Sequence, residues 1–217
     1  MQYDPMTQPC PLPFSPFKSC TVPRPIGWLS TISADGRHNL APYSQWQNLT
    51  FDPPMVMFAA NRYSDGRRKV TVINAEESGW FVWNMVTFDL REAMNITAMA
   101  VASDVDEFEA AGLVKAGCVH APGARVASSP CHFECRYLST HHLPGNSPVG
   151  GVDVVYGRVE QINVDDAVIT PEGKLDIAQI APVARMGYYD YTVVRDTFEM
   201  RIPDANGAEA DGLEGKA

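Results

Sequence analysis

The chain is punctuated as a series of short strands. Residues 26–33 alternate in polarity and run into residues 34–37, ADGR, where Asp35-Gly36 is a hairpin signal. A second strand starts near Asn39. Residues 55–60 are a short apolar run bounded by Pro53, Pro54 and Asn61, which suits a buried strand. Residues 79–86 read as another, and residues 131–138 and 152–164 as longer ones. In the last of these the apolar positions are 152, 154, 155, 156 and 159, then 162 and 164. That change of parity after Val159 predicts a β-bulge.

Helices interrupt the pattern in the middle of the chain. Residues 69–77, KVTVINAEE, are helix-like. Asp89 with Glu92, and Asp104 with Glu107, resemble capping boxes. Leu90, Ala93, Met94, Thr97, Ala98 and Val101 recur at helical spacing, and Gly112 ends a second, short helix after Ala111. Many strands, few helices and no regular βαβ alternation predict a mainly β fold, an antiparallel barrel with helical insertions. The ends read differently. Residues 1–23 hold six prolines, which cannot donate to a sheet ladder, so they form a Pro-rich extended arm that lies on a surface or on a partner subunit. Residues 24–203 form the folded domain, and residues 204–217, DANGAEADGLEGKA, a flexible acidic tail.

Charge narrows the function. A formal net charge of −9 excludes the broad basic face that nucleic acid or an anionic membrane surface requires. Against that background Arg62, Arg67, Arg68 and Lys69 crowd together directly before the helix-like run. Cations at a helix start, where backbone N–H groups also point outward, make an anion site. The cluster is the size for one phosphate. Neither a signal peptide nor a membrane-spanning run is visible, and the five cysteines show no disulfide or zinc spacing, so the expected setting is cytoplasmic with reduced thiols. His120, His132, His141 and His142 make no ligand set, and His141-His142 reads as a solvated loop. Rossmann, P-loop and nucleophile-elbow motifs are absent.

Three segments combine. Residues 23–31, PRPIGWLST, precede residues 39–54, NLAPYSQWQNLTFDPP, and residues 67–71, RRKVT, with Asn84 on the strand that follows. Each has an ordinary reading: Trp28 as core, Ser30 and Thr31 as strand surface, Tyr43 to Trp46 as a packed loop, the cations as a solvated face. Together, polar groups for the edge of an aromatic heterocycle, aromatic neighbours and a phosphate-type anion site describe a nucleotide-like pocket.

These segments resemble the flavin reductase-like proteins, the FMN-binding split-barrel family. That family includes the reductase components of two-component flavin monooxygenases and flavoredoxin-type proteins. The stretches EFEAAGL at 107–113, HFEC at 132–135, GRV at 157–159, ARMG at 184–187 and DTFEM at 196–200 resemble later family segments in the same order. The resemblance implies a six-stranded antiparallel split β-barrel and a homodimer with FMN near the subunit interface. By that resemblance Trp28, Leu29, Ser30 and Thr31 line the flavin, and Tyr43, Ser44, Gln45, Trp46 and Gln47 form the loop at its ring system. Ala59, Asn61, Arg67, Lys69 and Thr71 hold the ribityl chain and phosphate, with Asn84 and Arg185 as further members. Arg62 and Arg68 are expected to face solvent. Val70 stands where family members commonly carry an acid, and Gln45-Trp46 where many carry two aromatics.

The resemblance also implies hydride transfer from NAD(P)H, as a transient co-substrate, to the flavin. Electrons then pass to oxygen, another flavoprotein or an oxygenase partner. The cofactor carries that chemistry, so no catalytic acid–base residue and no metal ligand is assigned. A flavoredoxin-like electron carrier and a non-catalytic flavin-binding module need the same pocket and remain open at this level.

Overall fold

The strand-and-turn punctuation becomes one antiparallel sheet. The computed structural model describes residues 1–100 and 105–200. In chain order the elements are β1 (Arg24–Pro25), β2 (Gly27–Ile32), β3 (His38–Tyr43), β4 (Trp46–Phe51), β5 (Pro54–Asn61), α1 (Val70–Ser78), β6 (Trp80–Asn84), α2 (Arg91–Ile96) and α3 (Glu107–Ala110). Then follow β7 (Lys115–Gly117), β8 (Ala124–Val126), β9 (Cys131–Leu143), β10 (Val152–Val164), α4 (Ile177–Ile180), β11 (Val183–Gly187) and β12 (Asp190–Val193).

The main sheet has the order β3-β2-β6-β9-β10-β5-β4. Its two edges, β3 and β4, are consecutive in the chain and joined only by Ser44 and Gln45. A sheet whose edges are tied by two residues must curl until they approach. Across that seam the Tyr43 ring meets Phe58 of β5 at 5.3 Å between centroids. This is a split barrel. Seven strands are hydrogen-bonded into it where six were expected. The difference arises at Ser44 and Gln45, which divide one bent stretch, residues 38–51, into β3 and β4.

Strand alternation makes two cores, one on each side of β2. Leu29 points into the barrel with Val56, Phe58, Phe81, Trp83 and Val155. Trp28 points the other way and packs with Ile26, Leu40, Met94, Phe108 and Val126 beneath α2, α3 and β8. Each such fully buried side chain contributes about 1.5–3 kcal/mol. The barrel interior is closed by Trp46, stacked on Trp83 at 5.7 Å with the rings 4° apart. A Cβ at position 27 would lie 2.9 Å from the Trp46 Cβ, so glycine there is what admits this indole.

Several sequence expectations hold and several need correction. The register of β10 on β9 shifts between Val159 and Gln161, where the bulge was expected, and again between Tyr156 and Gly157. α1 begins at Val70 with Lys69 as its N-cap and ends at Gly79. Asp89 does not cap α2: the N-cap is Leu90, without a side-chain cap, and the helix stops at Ile96. Val101 and Asp104 lie outside the described residues. α3 is capped instead by Asp106, whose side chain accepts from Phe108 N. β9 continues to Leu143, so His141 and His142 are strand residues rather than a loop, because β10 offers them partners as far as Val152. Residues 1–23 contain no strand, only a short 3-10 turn at Phe17–Ser19. The expected acidic tail lies outside the described residues. No helix among the described residues is long and apolar enough to cross a membrane.

Candidate functional site

The basic segment faces two ways. Arg62 Nη2 lies 3.1 Å from Asp153 Oδ1, and Arg68 Nε 3.2 Å from Asp153 Oδ2. Arg68 also grips Glu76, from Nη1 at 2.8 Å and Nη2 at 2.5 Å. His142 Nδ1 completes the group at 3.0 Å from Asp153 Oδ1. The Asp153 side chain is only 2% exposed. Burial pushes its pKa up, but hydrogen bonds from Arg62, Arg68 and His142 outweigh burial and hold the carboxyl below the usual range. Arg62 and Arg68 therefore do not simply face solvent; they bind a buried carboxylate. Arg67 is the outward member, 76% exposed and paired with Asp65 at 2.6 Å.

Lys69 turns the other way, into a cleft of about 210 Å³ bounded by β3, the start of α1 and residues 97–100. It makes no ion pair among the described residues, and its Nζ lies 3.5 Å from the centre of the Tyr63 ring. Burial lowers its pKa. No side chain caps the start of α1 and no acid stands in its first turn. The first amides of the helix and the Lys69 ammonium thus form an anion site with no anion from the described chain.

A buried polar network supports the cleft. Glu107 accepts from Asn39 Nδ2 at 2.9 Å and from Leu40 N at 3.1 Å. Asn39 Oδ1 accepts from Thr71 Oγ1 at 2.7 Å, and Thr71 Oγ1 accepts from the Tyr43 hydroxyl at 2.9 Å. Asn74 Nδ2 donates to Thr31 Oγ1 at 3.2 Å. Burial pushes the Glu107 carboxyl and the Tyr43 phenol up and the His38 imidazole down. His38 Nδ1 is buried at the cleft without a hydrogen-bond partner among the described residues. A polar atom in that state fits a site that receives a polar ligand.

The sixteen residues expected at a flavin separate into groups. Tyr43, Lys69 and Thr71 line this cleft, and Thr31 lies in the network below it. Ser44 and Arg185 line an adjoining cleft. Trp28, Leu29, Ser30, Trp46 and Asn84 are buried structural residues. Trp28 Nε1 donates to Thr97 Oγ1 at 2.9 Å, and Ser30 Oγ donates to the Ala124 carbonyl at 2.6 Å. The Asn84 amide donates to the Trp28 carbonyl and accepts from Val126 N, tying β2, β6 and β8 together. Gln45, Gln47, Ala59, Asn61 and Arg67 line neither cleft. Asn61 donates to the Val149 carbonyl at 3.2 Å.

His38, Asn39, Asn74 and Glu107 were not singled out for the site. Strand period carried the signal for Asn39: positions 39, 41 and 43 share one face of β3, so selecting Tyr43 selects Asn39 as well. Glu107 was read as a helix-capping partner, whereas its carboxylate reaches β3.

The chain is similar to known proteins in sequence and in fold. The family described as the flavin reductase like domain matches residues 19–190. An uncharacterized protein of Aquifex aeolicus is 34% identical over 170 residues, 77% of this chain and 84% of its own length. Component B of nitrilotriacetate monooxygenase from Bacillus cereus has a similar fold, with a TM-score of 0.84 and 24% identity over 92% of this chain and 98% of that one. Flavoredoxin of Desulfovibrio vulgaris (Miyazaki F) is similar at a TM-score of 0.67 and 18% identity, covering 87% and 93% of the two chains. With a match over most of the split barrel, the chain belongs to the flavin reductase-like family.

Proposed function

We propose that the Lys69 cleft binds FMN and that the protein is a cytoplasmic NAD(P)H:flavin oxidoreductase. The observation that carries this reading is Lys69 itself: a partly desolvated cation with no carboxylate partner among the described residues, at the uncapped start of a helix that opens onto a cleft. In this reading Lys69 and the first amides of α1 take the phosphate. Thr71 and Tyr43 present hydroxyls held in place by Asn39 and Glu107, so little ordering remains for binding to impose. Pro42 and Ala98 give the cleft an apolar side. Bound there, FMN supplies the hydride acceptor for NADH or NADPH and the route by which electrons reach oxygen or a partner oxygenase.

Anaerobic titration tests the reading. Purified protein with FMN is expected to bleach in the visible on addition of NADH or NADPH and to recover colour in air. Absence of bleaching with both nucleotides rejects the oxidoreductase assignment, while retention of FMN on gel filtration still tests the cofactor.

The proposal includes a homodimer. Residues 47–51 of β4 are all exposed although they sit in a sheet, and they include Leu49 and Phe51, the latter 70% exposed. An edge strand in that state is a template for a second chain. A monomeric mass in solution with undiminished FMN binding would reject this part.

A further inference from the structure

A second cleft, of about 550 Å³, adjoins the first; Pro42 and Ala98 line both. Its wall is Arg24, Arg185, Tyr188 and Tyr191, and its rim is Phe17 and Lys18 of the N-terminal arm. Arg24 and Arg185 stand directly opposite one another in the β1–β11 pair. Like charges in that position destabilise a strand pair. No carboxylate lines the cleft, and none forms an ion pair with Arg24, Arg185 or Lys18 among the described residues. Neutral acceptors orient the two guanidinium groups instead. Arg24 donates to the carbonyls of Lys18 and Thr21, and Arg185 to the Tyr191 hydroxyl and the Tyr188 carbonyl. The proximity is felt electrostatically: burial, then Arg185, lowers the Arg24 pKa. In a chain with 26 acidic and 17 basic residues, three cations without an acid mark a place kept for an anion from outside.

The arm is built into this cleft. Gly187 has φ +90, and a Cβ there would lie 2.9 Å from the Ser19 Cα, so the turn after β11 and the arm are in direct backbone contact. The Phe14 ring meets Tyr188 edge-on at 6.0 Å. Planar guanidinium forks suit phosphate oxygens, and tyrosine faces suit a purine. The Arg185 guanidinium already lies 4.5 Å over Tyr191.

We propose that Arg24 and Arg185, rimmed by the N-terminal arm, bind the diphosphate of an adenine dinucleotide whose other half reaches the Lys69 cleft. Two sources have that chemistry, a reduced nicotinamide dinucleotide and FAD. The nicotinamide source rests on the flavin-reductase reading; the diphosphate site itself does not.

The test uses the full chain and ADP as the probe, with calorimetric titration. ADP is expected to bind the unaltered protein. Arg24→Gln should weaken ADP about 10- to 100-fold, the range for losing a charge-assisted contact, with FMN affinity held within about twofold. Arg24→Lys, which keeps the charge and loses the fork, should fall between. Arg185→Gln gives the same readout if Arg24→Gln does not fold. No ADP binding, or equal ADP affinity in wild type and both glutamine variants, overturns the proposal; so does loss of FMN in place of ADP. Comparing the KM for NADH and NADPH with the Kd for FAD in Arg24→Gln then separates the sources, since only the true one rises. If neither nucleotide is oxidised but ADP binding is lost in the variant, the diphosphate site stands and the reductase reading falls.

Discussion

Asp153 and Glu107 are both carboxylates taken out of water: Asp153 binds the segment that ends at Lys69, and Glu107 reaches the start of α1 through Asn39 and Thr71. Their surroundings differ. Asp153 is met by Arg62, Arg68 and His142. Glu107 is met by an amide side chain and one backbone N–H, neither with a formal charge. The first is held below the usual carboxylate range and the second is pushed above it. Missing cations alone do not explain this. Glu134 accepts from three backbone N–H groups, of Val119, His120 and Ala121, and its pKa is still lowered. Burial outweighs the hydrogen bonds to Glu107, whereas at Glu134 the backbone donors, with Asn163 beside them, outweigh burial. The difference separates a structural region from a receptive one. At Asp153 the chain satisfies its own charges and pins β5, β10 and the start of α1 together. Around Glu107 it leaves a polar cleft whose nearby ammonium, Lys69, has no ion-pair partner among the described residues.

The strongest way to break this comparison is on the Asp153 side. Asp153→Ala leaves Arg62 and Arg68 half-buried around an empty place, and should lower the unfolding free energy by about 3 kcal/mol in urea titrations. FMN affinity of the folded fraction should be unchanged. A loss within the 0–1 kcal/mol of a solvent-exposed pair would mean that the network is not structural.

On the receptive side Lys69→Ala should do the reverse. Stability should move by about 0.5 kcal/mol or less, because no ion pair among the described residues is lost, only the contact with the Tyr63 ring. FMN affinity should fall about 10- to 100-fold while riboflavin changes far less, since only FMN carries a phosphate. Fluorescence quenching of the two flavins measures both constants. Equal losses would remove the phosphate from this cleft.

The sequence shows much of this in advance, for reasons that are local. Strand period and turn chemistry are written in neighbouring residues, so β2, the Asp35-Gly36 turn, β5 and the bulge after Val159 could be placed. The start of α1 at Lys69 was equally visible. Partners distant in the chain were not. Nothing near Asp153 announces that it meets Arg62, which is 91 positions away. Nothing in the short helix near Glu107 says that its carboxylate crosses to β3, 67 positions away at Leu40. The same limit governs the flavin residues. Ser30 and Asn84 look like ligands on a strand, yet tertiary packing uses up their side chains.

A smaller effect comes from pH. Asp153 has a depressed native pKa, so its stabilisation is present above the ordinary aspartate value and is lost as pH falls through the native one. Glu107 has a raised native pKa, so its contribution is full below the ordinary glutamate value and is lost as pH rises through the native one. Urea titrations from acidic to neutral pH should show opposite changes: Asp153→Asn flattens the acid limb, and Glu107→Gln flattens the decline on the other side. Matching profiles for the two variants would erase the distinction between the regions.

The smallest expected effect sharpens the boundary between them. The resemblance to known flavoproteins assigns Arg67 to the phosphate together with Lys69, but Arg67 is exposed and already paired with Asp65. An exposed pair of this kind contributes little and is screened by salt. Arg67→Ala should therefore leave stability essentially unchanged. It should change FMN affinity by less than about threefold, less still at high salt. The double variant with Lys69→Ala should bind FMN as Lys69→Ala does, apart from that small increment, because Arg67 lines neither cleft. FMN titrations of the three variants at two ionic strengths decide the matter. A tenfold loss from Arg67→Ala alone would mean that the phosphate draws Arg67 away from Asp65, and that the outward half of the basic segment belongs to the site after all.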